Sequence, residues 1–157
     1  MARLLLPTVK GKFITGDNLH FTLVFLGSIA EEARQCLEQM AETVSSSPLT
    51  LLVDKIGYWH KPKVIWAGAT ELPENLLSLV ERLRAGVTIC GVEADTRPYQ
   101  AHLTLVRKVN RHVAEICINE PLRLDFDRFS LMESVPTSDG VSYTTIASWP
   151  LAAGEAS

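Results

Sequence analysis

The chain has few of the features that tie a sequence to a metal, a nucleotide cofactor or a membrane. Its three cysteines form no C-x-x-C pair and no Cys/His cluster, which argues against a zinc site and a disulfide scaffold. It has no G-x-x-x-x-G-K-[ST] loop, which argues against ATP binding. No apolar run approaches the ~20 residues that cross a bilayer. We therefore expect no cofactor, no metal and no membrane partner.

An excess of positive charge is also missing. The formal net charge is −3 and the isoelectric point about 5.8, whereas proteins that hold long nucleic acids are usually strongly basic. A small site for one terminal phosphate needs only local positive charge and stays compatible with this balance. The cysteines Cys36, Cys90 and Cys117 are odd in number and sparse. That pattern favours buried or half-buried thiols in a reducing compartment, and the apolar stretch in Met1–Pro7 is too short for a signal peptide. A cytoplasmic protein is expected.

Length and composition are those of one globular domain. The 157 residues are 46% hydrophobic and 21% charged, which suffices for a substantial core. No linker divides the chain, so we expect a single domain over residues 1–157 and a monomer.

Two tetrapeptides of the same design are the most informative feature that is present. They are His20-Phe21-Thr22-Leu23 and His102-Leu103-Thr104-Leu105, and each lies in an apolar run. In a strand, residues two apart point to the same face. Each His and its Thr therefore share one face, while the apolar residues between and after them point toward a core.

The repetition of this motif is unlikely to arise by chance. With four histidines and twelve threonines in the chain, roughly 0.3 His-x-Thr triplets would be expected at random, before the apolar neighbours are required. Two occur. The pair predicts a duplicated half-site in which two imidazoles and two hydroxyls face one cleft.

The remaining pattern predicts an α+β fold with antiparallel sheets and outer helices. A Ser28/Glu31 capping box predicts the start of a first helix, and Pro73 and Gly86 bound a second helix. The predicted strands and turns are Leu19–Leu26, Leu49–Trp59, a turn at residues 60–63, Val64–Ala69, Ala101–Val106, Leu122–Glu133, a turn at residues 138–140, and Val141–Ser148.

The motif segments, Asp17 to Leu23 and Arg97 to Arg107, resemble the two signatures of the 2H phosphoesterase superfamily. Residues 64–68 and 129–131, with Tyr143 and Trp149, resemble more narrowly its RNA 2′,3′-cyclic phosphodiesterase branch, also called 2′-5′ RNA ligases. The resemblance implies two pseudo-symmetric lobes around a central cleft, each supplying one His-x-Thr. It also implies that the first strand of the family is missing here, since only 19 residues precede His20.

The resemblance implies metal-free hydrolysis of RNA 2′,3′-cyclic phosphate ends to 2′-phosphates, with weak 2′-5′ joining as a further expectation. RNA ends or small cyclic nucleotides are the expected partners. Histidine suits both proton transfers, since its ordinary pKa is about 6.5. We assign His20 and His102 as the acid/base pair, with His20 as the acid, although the order of the two roles stays open. Thr22 and Thr104 are expected to bind the phosphate.

Other residues are candidates for the same site. Arg107 lies five residues after His102 and should point to the opposite face unless a twist or bulge at the strand end brings it to the rim. A nucleotide contact and a solvated surface position are both open for it. Trp66 and Tyr143 could stack on a base or pack in a core. The histidines His60 and His112 are expected at the surface.

Three other interpretations remain open at this stage. The chain could be a non-catalytic module that binds RNA or nucleotides, or a 2H enzyme that acts on a different phosphodiester. The motifs could also be ordinary strand residues of a structural domain. The mutual position of the two imidazoles separates the last interpretation from the others.

Overall fold

The computed structural model describes residues 10–138 and 140–152, which form parts of two compact units. Unit 1 comprises Met1–Thr22, Leu51–Glu71 and Gln100–Leu124, and unit 2 comprises Leu23–Thr50, Leu72–Tyr99 and Asp125–Ser157. Each unit is built from three separate stretches of the chain. Residues distant in sequence therefore meet inside each of them.

The described residues contain two α-helices, seven strands and one 3₁₀ turn at Gly16–Asn18. In chain order they are β1 (Lys12–Phe13), α1 (Glu31–Thr43), β2 (Leu49–Trp59), β3 (Val64–Gly68), α2 (Glu74–Ile89), β4 (His102–Arg107), β5 (Ile116–Phe126), β6 (Arg128–Thr137) and β7 (Gly140–Pro150). The predicted α+β class with antiparallel sheets is confirmed.

Unit 1 is organised around a five-stranded sheet in the order β1-β4-β3-β2-β5, with the last two strands extending into unit 2 at their ends. One face of the sheet is apolar, because β-branched and leucine side chains alternate onto it. The buried members of this core are Val53, Ile56, Ile65, Ala67, Leu105, Val106 and Val109. This core fixes the register of the strands, since a slip of one residue would turn apolar side chains into water.

Unit 2 contains both helices and the β6-β7 hairpin. Each helix buries one apolar stripe, formed by Leu37 and Ala41 in α1 and by Leu76, Leu79, Val80, Leu83, Gly86 and Val87 in α2. In the hairpin, Phe129 and Trp149 stack with ring centroids 5.4 Å apart. Neither α-helix is long and apolar enough to cross a membrane, and these are the only α-helices in the described part of the chain.

The helix starts differ in how well the pattern predicted them. Pro73 is the N-cap of α2, as expected, but the Ser28/Glu31 capping box is wrong. The N-cap of α1 is Ala30, which makes no side-chain capping hydrogen bond. Because Glu31 is the first helical residue, it cannot occupy the third position that a capping box requires. Helix α2 also runs past Gly86 to Ile89.

The predicted strand Leu19–Leu26 is wrong for most of its length. Only Phe21 makes a β-bridge there, opposite Leu103. Continuing the same antiparallel register past Thr22 would require residues before His102, and β4 begins at His102. Phe25 is 79% exposed, which is consistent with a segment that leaves the sheet.

The predicted strand Leu122–Glu133 is likewise two strands, β5 and β6, separated at Asp127. The carbonyl of Asp127 accepts a hydrogen bond from the Leu151 amide at 2.7 Å, which satisfies it outside either ladder. Leu49–Trp59 and the turn that follows are confirmed. Asp139 of the predicted 138–140 turn and the expected shortened start in residues 1–9 lie outside the described residues.

The expectation of three free thiols is wrong. Cys36 on α1 and Cys90 at the end of α2 form a disulfide across a Cα–Cα distance of 5.7 Å, while Cys117 is a free, exposed thiol. The separation of 54 residues gave no local signal of the bond. The helices bring the two sulfur atoms together only when they pack side by side.

This disulfide closes a loop of more than fifty residues, so it should restrict the unfolded chain. We expect Cys36→Ser to lower the free energy of unfolding by about 2–4 kcal/mol, measured by urea denaturation under non-reducing conditions. Cys117→Ser is the matched control and should change little. Equal stability of the two variants would contradict a formed disulfide.

Candidate active site

The two His-x-Thr motifs meet in unit 1, although we expected each lobe to supply one. Residues 12–22 run antiparallel along the outer side of β4: Lys12 and Phe13 pair with Arg107 and Val106, and Phe21 pairs with Leu103. The 3₁₀ turn at Gly16–Asn18 separates the two pairings. The first motif therefore lies directly beside the second.

The Phe21–Leu103 pairing determines which of the predicted site residues become neighbours. In an antiparallel pair, residues on either side of a matched pair are also opposite each other. His20 is thus opposite Thr104, and Thr22 is opposite His102. Phe21 and Leu103 pack against the core, so these four side chains lie on the other face.

The four positions form a square in which the histidines occupy one diagonal. Diagonal neighbours across an antiparallel pair have Cβ atoms about 7 Å apart. At this separation two imidazoles can both contact one phosphate placed between them. Both histidines and both threonines are half-buried. Neither imidazole is enclosed in the core, which is the position that would have excluded a chemical role.

Both imidazoles are held in the same way. His20 Nδ1 bonds the Asn18 carbonyl at 2.8 Å, and His102 Nδ1 bonds the Gln100 carbonyl at 3.2 Å, each two residues upstream. A carbonyl only accepts, so Nδ1 carries the hydrogen in each ring. The position that gains or loses a proton is therefore Nε2, in both rings alike.

A β-bulge in β4 moves Arg107 to the histidine face. Ile65 pairs with Val106 but Trp66 pairs with Thr104, so Leu105 is an extra residue. Leu105 and Val106 are both buried in the core, and the alternation is thereby reset. Arg107 follows on the face that carries His102 and Thr104, and it is exposed. The sequence predicted that Arg107 would point to the opposite face unless a twist or a bulge intervened, and a bulge does.

Trp66 covers the sheet next to the histidines. It is opposite Thr104 on one side and Gly57 on the other, so it shares their face. A methyl group at Gly68 would lie 2.7 Å from its ring, and one at Gly57 would overlap the ring more severely. The two glycines let the indole lie against the backbone of β2 and β3.

Two neighbours of Trp66 were not predicted as site residues. Trp59 contacts both Trp66 and His102, with ring centroids 5.2 Å and 4.6 Å away, and meets the imidazole edge-on. Lys55 Nζ lies 5.7 Å from the Trp66 ring centroid, within reach of a cation–π interaction. The length of the turn after Trp59 could have predicted this arrangement. A four-residue turn sets Gly57 opposite Trp66, and Lys55 and Trp59, two residues to either side of Gly57, then share the face of Trp66.

Other candidates lie elsewhere. Tyr143 is in unit 2 and half-buried. Arg97, also in unit 2, pairs with Asp95 at 2.6 Å, and this guanidinium holds the pKa of the Asp95 carboxyl well below its usual range. Burial raises the pKa of Tyr99 to about 12. His60 and His112 are exposed, as expected. No three His, Cys, Asp or Glu side chains within residues 10–138 and 140–152 are grouped to hold a metal ion.

Comparison with known proteins identifies the protein family to which this chain belongs. Residues 9–137 match the family model described as the 2′-5′ RNA ligase superfamily, and the chain belongs to that family. This membership confirms the resemblance seen in the two motifs.

Several similar proteins share the name RNA 2′,3′-cyclic phosphodiesterase. The RNA 2′,3′-cyclic phosphodiesterase of Escherichia coli K12 is 29% identical over 145 residues, covering 92% of this chain and 82% of that protein. The protein of that name from Archaeoglobus fulgidus is 28% identical over 84% of this chain and 79% of its own length. The crystal structure of E. coli LigT complexed with 3′-AMP superposes with a TM-score of 0.82 at 29% identity, covering 90% of this chain and 81% of that one.

The position of the Trp66 indole over Gly57 can be tested by substitution. We expect Gly57→Ala to push the indole off the sheet, with a cost of about 1–3 kcal/mol typical of overpacking, measured by denaturation and by a changed tryptophan emission. Gly57→Ala/Trp66→Phe, with a smaller ring, should recover part of that stability. Absence of any recovery would mean that the ring does not lie over Gly57.

Proposed function

We propose that this chain is an RNA 2′,3′-cyclic phosphodiesterase that uses His20 and His102 as its acid/base pair and needs no metal. The observation that carries the proposal is the pairing of Phe21 with Leu103, which makes the two His-x-Thr motifs neighbours on one face. Family membership and the names of the relatives support the substrate class. The LigT crystal structure contains 3′-AMP, which supports a nucleotide as the kind of ligand.

Opening a 2′,3′-cyclic phosphate requires two proton transfers on opposite sides of the phosphorus. One imidazole removes a proton from water through Nε2 as the water oxygen bonds to phosphorus. The bond from phosphorus to O3′ breaks, and the other imidazole gives its Nε2 proton to O3′. The product is a 2′-phosphate with a free 3′-hydroxyl. We assign the donor role to His20 and the water to His102.

The supporting contacts suit this division of work. Because each Nδ1–H is engaged by a main-chain carbonyl, each ring presents Nε2 with a fixed orientation. His102 also has the edge of Trp59 against it, which restricts its rotation. The Thr22 and Thr104 hydroxyls donate hydrogen bonds to the non-bridging oxygens as these gain charge. Arg107, farther along the same face, contributes positive charge.

The histidine assignment is tested with 2′,3′-cyclic AMP as substrate. We expect His20→Ala and His102→Ala each to lower kcat by about 10²- to 10⁴-fold, because each removes one proton transfer. Excess EDTA should leave wild-type turnover unchanged. His60→Ala and His112→Ala, which remove exposed imidazoles of the same unit, are matched controls and should retain wild-type rates.

Three results would count against this function. Loss of turnover with EDTA would show a metal-dependent reaction. Wild-type rates in both His20→Ala and His102→Ala would remove the histidines from the chemistry. Binding without turnover by the wild-type protein would favour a nucleotide-binding module instead.

The phosphate-binding role of the two threonines can be tested separately. Thr22→Val and Thr104→Val keep the side-chain shape but remove the donor, so we expect kcat to fall by about 10²-fold with a smaller change in KM. Thr137→Val on the exposed end of β6 is the control. A rise in KM alone would assign the hydroxyls to ground-state binding.

A further inference from the structure

The net charge of −3 conceals two units of opposite sign. Among the described residues, unit 1 has nine Lys and Arg against five Asp and Glu, a formal charge of +4, and unit 2 has five against eleven, a charge of −6. All six lysines of the chain lie in unit 1. The positive charge is therefore concentrated on the unit that carries both histidines.

Most of this charge is gathered at one end of the unit 1 sheet, where three segments of the chain meet. The Lys63 carbonyl accepts a hydrogen bond from the Val109 amide at 3.1 Å, and the Lys10 carbonyl accepts one from the Asn110 amide at 3.1 Å. Lys12 is opposite Arg107. The cations of this basic end are Lys10, Lys12, Lys61, Lys63, Arg107, Lys108 and Arg111.

The basic end is exposed and contains no carboxylate of its own. All seven cationic residues are exposed, and segments 10–13, 59–64 and 106–112 include no Asp or Glu. Within residues 10–138 and 140–152, the side chains of Lys10, Lys12, Lys61, Lys63, Arg107 and Lys108 form no ion pair. These six like charges, which have no counter-ion among the described residues, repel each other, so an external anion is the natural partner.

The position of the basic end favours one kind of anion. Arg107 is on the strand and face of His102 and Thr104, and because Leu105 is the bulged residue it lies two strand steps, about 7 Å, beyond Thr104. A 2′,3′-cyclic phosphate is the terminus of a strand, so the other phosphates of the strand continue away from the histidines. We propose that the basic end binds the phosphodiester backbone of the RNA whose cyclic end occupies the histidine face. This inference rests on the proposed function and makes an oligonucleotide the preferred substrate.

Such binding should depend strongly on salt. For a single strand, the logarithm of affinity falls with the logarithm of salt concentration with a slope of about −0.7 per phosphate contacted. Three contacts would thus give a slope of about −2 for an oligonucleotide. A mononucleotide, which does not reach the lysines of the basic end, should show a much shallower dependence.

The experiment compares 2′,3′-cyclic AMP with a 12-nucleotide RNA that ends in a 2′,3′-cyclic phosphate. The test variant is Lys10→Gln/Lys63→Asn/Lys108→Asn, in which asparagine tolerates the positive φ of residues 63 and 108. The matched control, Arg34→Gln/Arg82→Gln/Arg128→Gln, removes the same charge from unit 2. A third variant, Lys10→Arg/Lys63→Arg/Lys108→Arg, retains the charge.

For the RNA, we expect the test variant to raise KM about tenfold in 50 mM salt and to flatten the salt dependence. Its kcat and KM for 2′,3′-cyclic AMP should stay within twofold of wild type. The unit 2 control and the arginine variant should behave like wild type with both substrates. Thermal denaturation of each variant checks that the fold is retained.

The inference is overturned if the test variant and the unit 2 control change RNA turnover equally, or if both substrates are affected alike. It is also overturned if the basic end binds polyglutamate or anionic phosphatidylserine vesicles as tightly as RNA, since the partner would then be any acidic surface. Failure of the proposed function is distinguishable: wild type would then hydrolyse neither substrate. Fluorescence anisotropy with the 12-nucleotide RNA would still decide whether these lysines hold the strand.

Discussion

The antiparallel pairing of Phe21 with Leu103 is the constraint on which the candidate site depends. It joins two segments more than eighty residues apart and sets which residue of one is opposite which residue of the other. Because Phe21 and Leu103 pack against the core, the histidines and threonines are left on the opposite face. A slip of one residue would turn the polar set into the core, so the burial of these two apolar side chains maintains the site.

The same core also determines which other side chains lie on the face that carries the histidines. Burial of both Leu105 and Val106 in consecutive positions requires a bulge, and the bulge returns Arg107 to the side of His102. The glycines opposite and beside Trp66 let the indole lie flat against the strands. Packing on one side of the sheet thus arranges charge and aromatic surface on the other.

Charge distribution adds a feature that average properties conceal. A weakly acidic chain would not be expected to hold a nucleic acid strand, and the composition alone argues against it. Its lysines, however, all belong to the unit that carries the two motifs. The acidic residues of the other unit cancel this charge in the total, so the net charge of the chain conceals it.

The sequence by itself predicted the residues of the candidate site and determined most elements of the fold. A repeated His-x-Thr in apolar runs is a local pattern, and so are the β2 strand, the turn after it and the Pro73 start of the second helix. Tertiary structure alone decided the rest, because each remaining feature depends on a partner distant in the chain. The first motif strand ends where β4 offers no further partner, Cys36 meets Cys90 only when two helices pack, and Arg107 changes face because the core accepts two consecutive side chains.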